Sequence, residues 1–426
     1  SIDAGALTVM VNSSEINGIP VHASPYYLIE LLREELGFEG VIVTDWNDIN
    51  NLYTREMVAA DQKEAVRIGV EAGLDMSMVP YDFSFYNHHI ELVNEGTIPE
   101  SRINDSVRRI LKLKYQVGLF DDPYPVKSLE NEFATEESRQ VSLQSARESI
   151  TLLKNRDNIL PLDENTKVLV TGPTANLLSS LNGGWTITWQ GNEEALYPEE
   201  KLTILEAIQQ KVGQRNVSYA QGAVFDQLVD LKSTLKAARR ADVIIACLGE
   251  PAYCETPGNI NNLTLSEVQL ELVEALSATN KPVILVLAEG RPRIINRIAG
   301  MADGIIWAGL PGMEGGIAVA DILYGDANPS GKLPFSYPQY PNSLIKYDYR
   351  ISEASGGNEY NVQFPFGHGL SYTTFDYSDL RLNSAIMTGD DMLEIDVTVT
   401  NTGDYPGKET VLFYLRDVVA SVTPPN

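Results

Sequence analysis

The chain has 426 residues, 43% hydrophobic and 21% charged, which is the composition of a folded protein and excludes wholesale disorder. Its 58 acidic and 32 basic side chains give a formal net charge of −26. Such a charge repels nucleic-acid backbones and anionic membrane surfaces, so we expect neither as a partner. At roughly 100–200 residues per domain, the length allows about two to four domains.

The two cysteines do not indicate a disulfide framework or a metal site. Cys247 lies in an apolar run and Cys254 in the loop after it, positions that we interpret as incompatible with a bridge. No run reaches the roughly 18 apolar residues of a membrane span. Strand-like apolar runs lie close to both ends of the chain, so we expect a fragment of a longer protein, with a complete chain as the alternative.

The first region alternates strand and helix patterns. Strands are predicted at residues 7–12, 40–44 and 75–79, and helices at 26–36, 61–72 and 101–117. This alternation is typical of a parallel sheet. Only three strands are visible, whereas a (β/α)8 barrel has eight.

A linker is predicted at residues 121–131 and a helix at 138–150, before a second, doubly wound α/β region. Its predicted strands are residues 167–171, 217–220, 243–249, 283–288 and 304–308, and its helices are 203–212, 226–240, 266–279 and 316–323. Ser266 and Gln269 predict a capping box. Residues 393–400 and 409–415 alternate apolar and polar side chains, which predicts the start of a β-sandwich.

A carboxylate and an indole follow the buried strand at residues 40–44. Catalytic groups in barrels lie at the C-terminal ends of strands, and an indole can stack on a sugar ring, so Asp45 and Trp46 are candidates for sugar chemistry. The alternative is that Asp45 caps the next helix. Asp48 is the rival carboxylate, but its position is better suited to starting a helix.

The loop after the strand at residues 243–249 contains two glutamates, Glu250 and Glu255. Open α/β sheets bind ligands at this end of their strands, and a partly desolvated glutamate can act as a general acid. The alternative, which the residues alone favour, is a solvated acidic loop.

Two tryptophans four residues apart, Trp185 and Trp189, are framed by glycines that indicate a loop. Aromatic faces in loops commonly bind sugars. We expect Trp185 to be a buried loop anchor and Trp189 to be the exposed platform.

Together these stretches resemble glycoside hydrolase family 3, and its β-glucosidases most closely. The matching segments are residues 17–23 (NGIPVHA), 43–46 (VTDW), 72–76 (AGLDM), 183–185 with 189–191 (GGW and WQG), 255–258 (ETPG), 289–292 (EGRP), 328–334 (NPSGKLP) and 366–372 (FGHGLSY).

The resemblance implies an α/β fold in which the chain begins near the sixth strand of a (β/α)8 TIM barrel. Residues 1–125 would be the C-terminal part of the barrel and 126–148 a linker and helix. Residues 149–345 would be an α/β sandwich domain, and 346–426 a linker and an incomplete fibronectin-III-like β-sandwich.

The resemblance also implies site residues. Asp45 matches the catalytic nucleophile, Glu255 the acid/base, and Trp46 and Trp189 the indoles that clamp the leaving-group sugar. Ser13 stands where several members carry a tyrosine facing the nucleophile, and Asn47 where an acidic residue is common; both leave substrate preference open. No metal and no cofactor is expected.

We therefore expect a retaining, exo-acting β-glucosidase whose substrate is a β-linked gluco-oligosaccharide or a β-glucoside. The alternatives are a β-xylosidase or exo-β-glucanase of the same family, or an inactive sugar-binding fragment, because the first barrel strands are absent. A secreted or periplasmic location is expected, and a homodimer is one assembly that the sequence leaves open.

Overall fold

The computed structural model describes residues 1–79, 81–343, 362–414 and 419. The chain forms two units, Ser1–Glu130 and Asn131–Asn426. The polar linker expected after residue 345 lies outside the described residues as far as residue 361.

The first unit contains a parallel sheet with the strand order β1–β4–β5, in agreement with the alternation of strands and helices. Its strands are β1 (Thr8–Met10), β2 (Glu15–Ile16), β3 (Ile19–Pro20), β4 (Val41–Trp46) and β5 (Met76–Met78), with β2 and β3 forming a separate hairpin. Its helices are a 3₁₀ turn (Val21–Ala23), a π-helix (Tyr26–Glu35), α1 (Asp48–Thr54), α2 (Gln62–Ala72), α3 (Ser84–Asn94) and α4 (Glu100–Gln116).

A buried carboxylate ties the elements of this unit together. Asp75 accepts hydrogen bonds from Arg33 at 2.5 Å, Ser106 at 2.7 Å and Arg109 at 2.9 Å. It also accepts the backbone N–H of Ile42 in β4 at 3.0 Å. A buried charge is tolerated only when it is paired and hydrogen-bonded, and these partners fix β4 against the π-helix and α4.

The second unit is built on a six-stranded sheet with the order β6–β11–β10–β9–β7–β8, in which only β6 is antiparallel. Its strands are β6 (Thr151–Asn155), β7 (Val168–Thr171), β8 (Val217–Tyr219), β9 (Val243–Gly249), β10 (Val283–Ala288) and β11 (Gly304–Gly309). Its helices are α5 (Glu136–Ser149), α6 (Ser179–Asn182), α7 (Ile204–Val212), α8 (Leu231–Ala238), α9 (Glu267–Ser277), α10 (Asn296–Ala299) and α11 (Gly315–Tyr324).

Both faces of this sheet are covered. Every residue of β9 and β10 is buried, and alternate side chains enter two separate apolar clusters. Because β7 pairs with β8 on one side and with β9 on the other, the strand order reverses between β7 and β9. This reversal is the switch point at which open α/β sheets form a crevice for ligands.

Four further strands follow. They pair as two antiparallel couples, β12 (Tyr337–Pro338) with β13 (Val362–Phe364), and β14 (Phe375–Leu382) with β15 (Ile395–Asn401). The strand predicted at residues 393–400 is confirmed. The strand predicted at 409–415 is wrong for residues 409–414, which pair with no strand in the described part of the chain, and residue 415 lies outside it.

Two further details differ from the sequence predictions. The helix expected at residues 226–240 is shorter, because Asp230 caps it and it begins at Leu231. The Ser266–Gln269 capping box is also wrong. The buried Gln269 amide instead accepts the Gly249 N–H at 2.9 Å and donates to the Gly249 carbonyl at 3.0 Å. The end of β9 needs these partners, since buried backbone polar groups are costly when unpaired. A reciprocal capping box lies at Thr203 and Glu206.

Candidate active site

Strand β4 leads from the core to the surface within three residues. Thr44 is fully buried, Asp45 is partly exposed and Trp46 is 55% exposed. An Asp45 carboxylate oxygen accepts the Trp46 backbone N–H at 2.6 Å. The indole N–H of Trp46 donates to the Tyr81 hydroxyl at 3.3 Å, and the two rings meet edge to face. Asp45 and Trp46 thus lie together at the C-terminal end of the strand, as expected.

The backbone turns sharply after Trp46, so that the next acidic residue enters a helix. Asn47 has a left-handed conformation (φ 61°) and donates its N–H to the Met78 carbonyl at 2.9 Å. Helix α1 then begins at Asp48, which confirms the interpretation that this residue starts a helix. Its carboxylate is buried, so Asp45 is the more accessible of the two.

Ser13 contacts this buried carboxylate. The Ser13 hydroxyl donates to Asp48 at 2.9 Å and accepts from Arg55 at 3.0 Å, while the Asn51 amide donates to the same Asp48 oxygen at 2.6 Å. The structure therefore places Ser13 beside α1, and its expected contact with substrate stays a prediction.

His22 is a member of this site that the sequence reasoning missed. The buried Nε2 atom lies 3.4 Å from the Asp45 backbone N–H and 3.5 Å from the second Asp48 oxygen. Burial lowers the pKa of His22 and outweighs Asp48 and Asp45, which raise it. A neutral imidazole can accept the Asp45 N–H, so His22 supports the backbone of the candidate nucleophile. Its only signal was its place in the segment 17–23.

The structure separates the two glutamates of the β9 loop. Glu250 is buried and forms ion pairs with Arg291 at 2.9 Å and Arg293 at 2.6 Å. Glu255 is exposed and has a left-handed φ of 53° with ψ −142°. Non-glycine residues rarely adopt such backbone angles except where surrounding contacts impose them, often at functional sites. The loop is therefore anchored by Glu250 and presents Glu255 to solvent.

The tryptophan loop differs from the prediction at one residue. Trp189 is 47% exposed, as expected, but Trp185 is 69% exposed and is not a buried anchor. The glycines occupy the close-packed positions instead. A β-carbon on Gly183 would lie 2.8 Å from a Leu310 methyl, and one on Gly184 would lie 2.5 Å from the Cys254 β-carbon. Both indoles are accessible to solvent.

The tryptophan loop and the Glu255 loop flank the switch point of the sheet. The first lies in the connection after β7 and the second directly follows β9. They contact each other through Gly184, which packs on Cys254, the residue before Glu255. The second unit therefore brings Trp189 and Glu255 onto adjacent loops, while Asp45, Trp46 and Ser13 belong to the first unit.

A buried acid lies behind the Glu255 loop. Glu289 follows β10, is fully buried, and accepts hydrogen bonds from the Tyr337 hydroxyl at 2.8 Å and the Arg293 N–H at 3.3 Å. Burial raises the pKa of Glu289 to about 8. The group is therefore mostly protonated at neutral pH.

Two further observations concern the described residues. Among them, no three or more His, Cys, Asp or Glu side chains are grouped so as to hold a metal ion. No helix in the same part of the chain is both long and apolar enough to cross a membrane.

Two family models match the chain. They are described as the glycosyl hydrolase family 3 N-terminal domain, over residues 1–113, and the C-terminal domain, over residues 150–372. The chain therefore belongs to glycoside hydrolase family 3, and the resemblance seen in its motifs is confirmed.

Named relatives are similar over almost the whole chain. A lysosomal beta glucosidase from Dictyostelium discoideum is 42% identical over 99% of this chain and 54% of its own length. A periplasmic beta-glucosidase from Salmonella typhimurium is 34% identical over 100% and 60%. A beta-xylosidase from Formosa agariphila is 35% identical over 99% and 60%.

A crystal structure of a beta-glucosidase from Listeria innocua in complex with glucose has a TM-score of 0.85 to this chain at 27% identity. The match covers 100% of this chain and 59% of that one. The chain thus spans little more than half the length of these relatives.

The raised pKa of Glu289 predicts how the free energy of unfolding depends on pH. In the unfolded chain its pKa returns to about 4.5, so the folded state retains a proton that the unfolded state loses. The stabilisation is complete below about pH 4.5 and is lost as the pH rises through about 8. Relative to Glu289→Gln, we expect the free energy of unfolding to fall by at most about 1.4 kcal/mol per pH unit across this range.

Urea unfolding curves at several pH values measure this difference. The control is Glu271→Gln, at an exposed position of α9, which should keep the pH dependence of the unsubstituted protein. Equal pH dependence in Glu289→Gln and the unsubstituted protein would show that Glu289 does not hold the proton.

Proposed function

We propose that the full-length protein is a retaining, exo-acting β-glucosidase that releases terminal non-reducing β-D-glucosyl residues from gluco-oligosaccharides or glycosides. The observation that carries this proposal is common to both units. Each presents an accessible carboxylate close to an exposed indole at the C-terminal end of a buried parallel strand: Asp45 with Trp46, and Glu255 beside the loop of Trp189. Family membership and relatives named as β-glucosidases support it.

In this proposal Asp45 is the nucleophile and Glu255 is the acid/base. An Asp45 oxygen bonds to the anomeric carbon while the glycosidic bond breaks and Glu255 protonates the departing oxygen. Glu255 then takes a proton from water, whose oxygen displaces Asp45 from the anomeric carbon and gives a β-configured sugar. The mechanism requires the two carboxyl groups to lie about 5–5.5 Å apart when substrate is bound.

The aromatic groups have a binding role in the same proposal. Trp46 and Trp189 stack on the leaving-group sugar, whose apolar face matches an indole. Ser13 is proposed to contact substrate as well. No metal and no cofactor takes part, since the two carboxyl groups supply both the nucleophile and the proton.

We also propose the domain organisation that the sequence implies. Residues 1–125 are the C-terminal part of a (β/α)8 barrel, 126–148 a linker and helix, 149–345 an α/β sandwich domain, and 346–426 a linker and part of a fibronectin-III-like domain. The parallel order β1–β4–β5 supports the first assignment, and the β14–β15 hairpin is consistent with the last.

The location and partners follow from the same comparison. We propose a secreted or periplasmic protein, because the relatives include proteins named lysosomal and periplasmic. The net charge of −26 supports an uncharged sugar as the partner and disfavours nucleic acid and anionic membranes.

Azide rescue tests the role of Glu255 in the full-length protein. We expect Glu255→Ala to hydrolyse 2,4-dinitrophenyl β-glucoside slowly, because the intermediate forms without acid help but no base activates water. Azide needs no base, so it should raise turnover and yield β-glucosyl azide, identified by NMR. Without azide, hydrolysis of the intermediate limits turnover, so kcat should fall about 10²–10⁴-fold, the usual contribution of a general acid/base. The value of kcat/KM, which reports formation of the intermediate, should change little for this substrate.

The matched control is Glu271→Ala, which removes an exposed glutamate of the same unit and should behave like the unsubstituted enzyme. Absence of rescue, or an α-configured azide, would exclude Glu255 as the acid/base of a retaining enzyme.

A second candidate activity is β-xylosidase, because one relative bears that name. Xylose lacks the hydroxymethyl group of glucose, so the two substrates differ by the contacts made to that group. We expect kcat/KM for 4-nitrophenyl β-glucoside to exceed that for the β-xyloside by about tenfold or more, the usual effect of one added group in a fitted pocket. The reverse order would identify a xylosidase, and a preference for longer gluco-oligosaccharides would identify an exo-β-glucanase.

A further inference from the structure

One side chain of the tryptophan loop binds the backbone beside Glu255 at two points. The Gln190 amide nitrogen donates to the Cys254 carbonyl at 3.1 Å, and its oxygen accepts the Cys254 N–H at 3.0 Å. Paired bonds from one planar amide to one residue restrict both its position and its rotation. Gln190 therefore holds the residue that directly precedes the candidate acid/base.

Gln190 itself lies on a firmly closed loop. The Trp185 N–H donates to the Trp189 carbonyl at 2.8 Å, which joins the two ends of the loop. The buried Tyr197 hydroxyl donates to the Gly191 carbonyl at 2.8 Å. Because its neighbours Trp189 and Gly191 are held by these hydrogen bonds, Gln190 has a fixed position from which to hold the Cys254 backbone.

The Glu255 loop has a second anchor on the side of β9. The Arg291 guanidinium lies 4.1 Å from the centre of the Tyr253 ring, and the ring also packs so closely on Gly258 that a β-carbon there would overlap it. The Tyr253 hydroxyl donates to the buried Glu250 at 3.4 Å. Tyr253 and Cys254 are thus both held, and Glu255 is the next residue.

These anchors explain the unusual backbone of Glu255. After Glu255 the chain enters the 3₁₀ turn Thr256–Gly258, and the Gly258 N–H donates to the Glu255 carbonyl at 2.9 Å. A φ of 53° at a glutamate is unfavourable, and it persists only when the residues on both sides impose it. Releasing Cys254 would let Glu255 relax to an ordinary φ, which would turn its carboxyl group in a new direction.

We propose that Gln190 is a positioning residue that sets the direction of the Glu255 carboxyl group through the Cys254 peptide. This inference rests on the proposed role of Glu255 as acid/base. Gln190 does not take part in proton transfer. Its effect is confined to the two steps that use Glu255, the protonation of the leaving group and the activation of water.

The test is the dependence of rate on the leaving group in full-length Gln190→Met, which keeps the side-chain length and removes both hydrogen bonds. Acid catalysis matters most for weakly acidic leaving groups. We expect kcat/KM for phenyl β-glucoside to fall about 10–100-fold, the scale of a misplaced catalytic group. For 2,4-dinitrophenyl β-glucoside, which needs no acid, we expect a fall of less than about threefold.

Two further variants distinguish a failure of the inference about Gln190 from a failure of the proposed role of Glu255. Gln140→Met, at an exposed position of α5, should leave both rates unchanged, and Glu255→Ala should show the same pattern as Gln190→Met with a larger amplitude. The inference alone is overturned if Glu255→Ala loses more kcat/KM with phenyl than with 2,4-dinitrophenyl β-glucoside but Gln190→Met does not. In that case Gln190→Met either loses the same amount with both substrates or loses nothing. Absence of this difference between substrates in Glu255→Ala overturns the proposed function of Glu255 and the inference with it.

A second measurement, independent of turnover, distinguishes local release of the Cys254 peptide from misfolding of the variant. Cys254 is partly exposed and Cys247 is fully buried in β9, so alkylation of the two thiols can be followed separately by peptide mass spectrometry. We expect Gln190→Met to accelerate Cys254 alkylation by about threefold or more while Cys247 stays unmodified. An unchanged Cys254 rate with Cys247 protected would show that Gln190 does not hold this peptide.

Discussion

The complete burial of the central strands is the constraint on which the rest of the structure depends. Every residue of β9 and β10 is buried, and β4 is largely buried up to Thr44. An unpaired charge inside such a sheet would be very costly, so acidic side chains are placed where the strands end, either accessible to solvent or buried with hydrogen-bond partners. Asp45 lies at the end of β4, while Glu250 and Glu289 follow β9 and β10. The carboxylates proposed to act on the substrate, Asp45 and Glu255, therefore follow the buried part of their strands.

The structure distinguishes buried carboxylates, which hold the backbone in place, from carboxylates that are accessible to solvent. Asp75 and Glu250 are paired with arginines, and Glu289 is buried with a raised pKa. Asp45 and Glu255 remain accessible to solvent. The buried groups hold the backbone, and the accessible pair is the one that we propose acts on the substrate. Their different surroundings give each carboxylate its part in the proposed chemistry.

The sequence predicted much of this arrangement because its strongest signals are local. Continuous apolar runs located β9 and β10, and the residue order alone put Asp45 and Glu255 after buried strands. Three errors concern contacts between residues that are distant in sequence, which a local pattern does not reveal. The Gln269 amide binds Gly249 in place of a cap, the glycines beside Trp185 rather than its indole make the close contacts with Leu310 and Cys254, and residues 409–414 pair with no strand in the described part of the chain. The supporting role of His22 also depends on residues brought together only by folding.

The central claim is that Asp45 forms a covalent bond to the sugar. The most direct measurement is mass spectrometry of the full-length enzyme after reaction with 2,4-dinitrophenyl 2-deoxy-2-fluoro-β-glucoside, whose fluorine slows hydrolysis of the intermediate more than its formation. The account predicts one added fluoroglucosyl group per chain, located on Asp45 after peptic digestion. A label on another carboxylate, such as Asp48 or Glu255, or turnover without any covalent adduct, would contradict it.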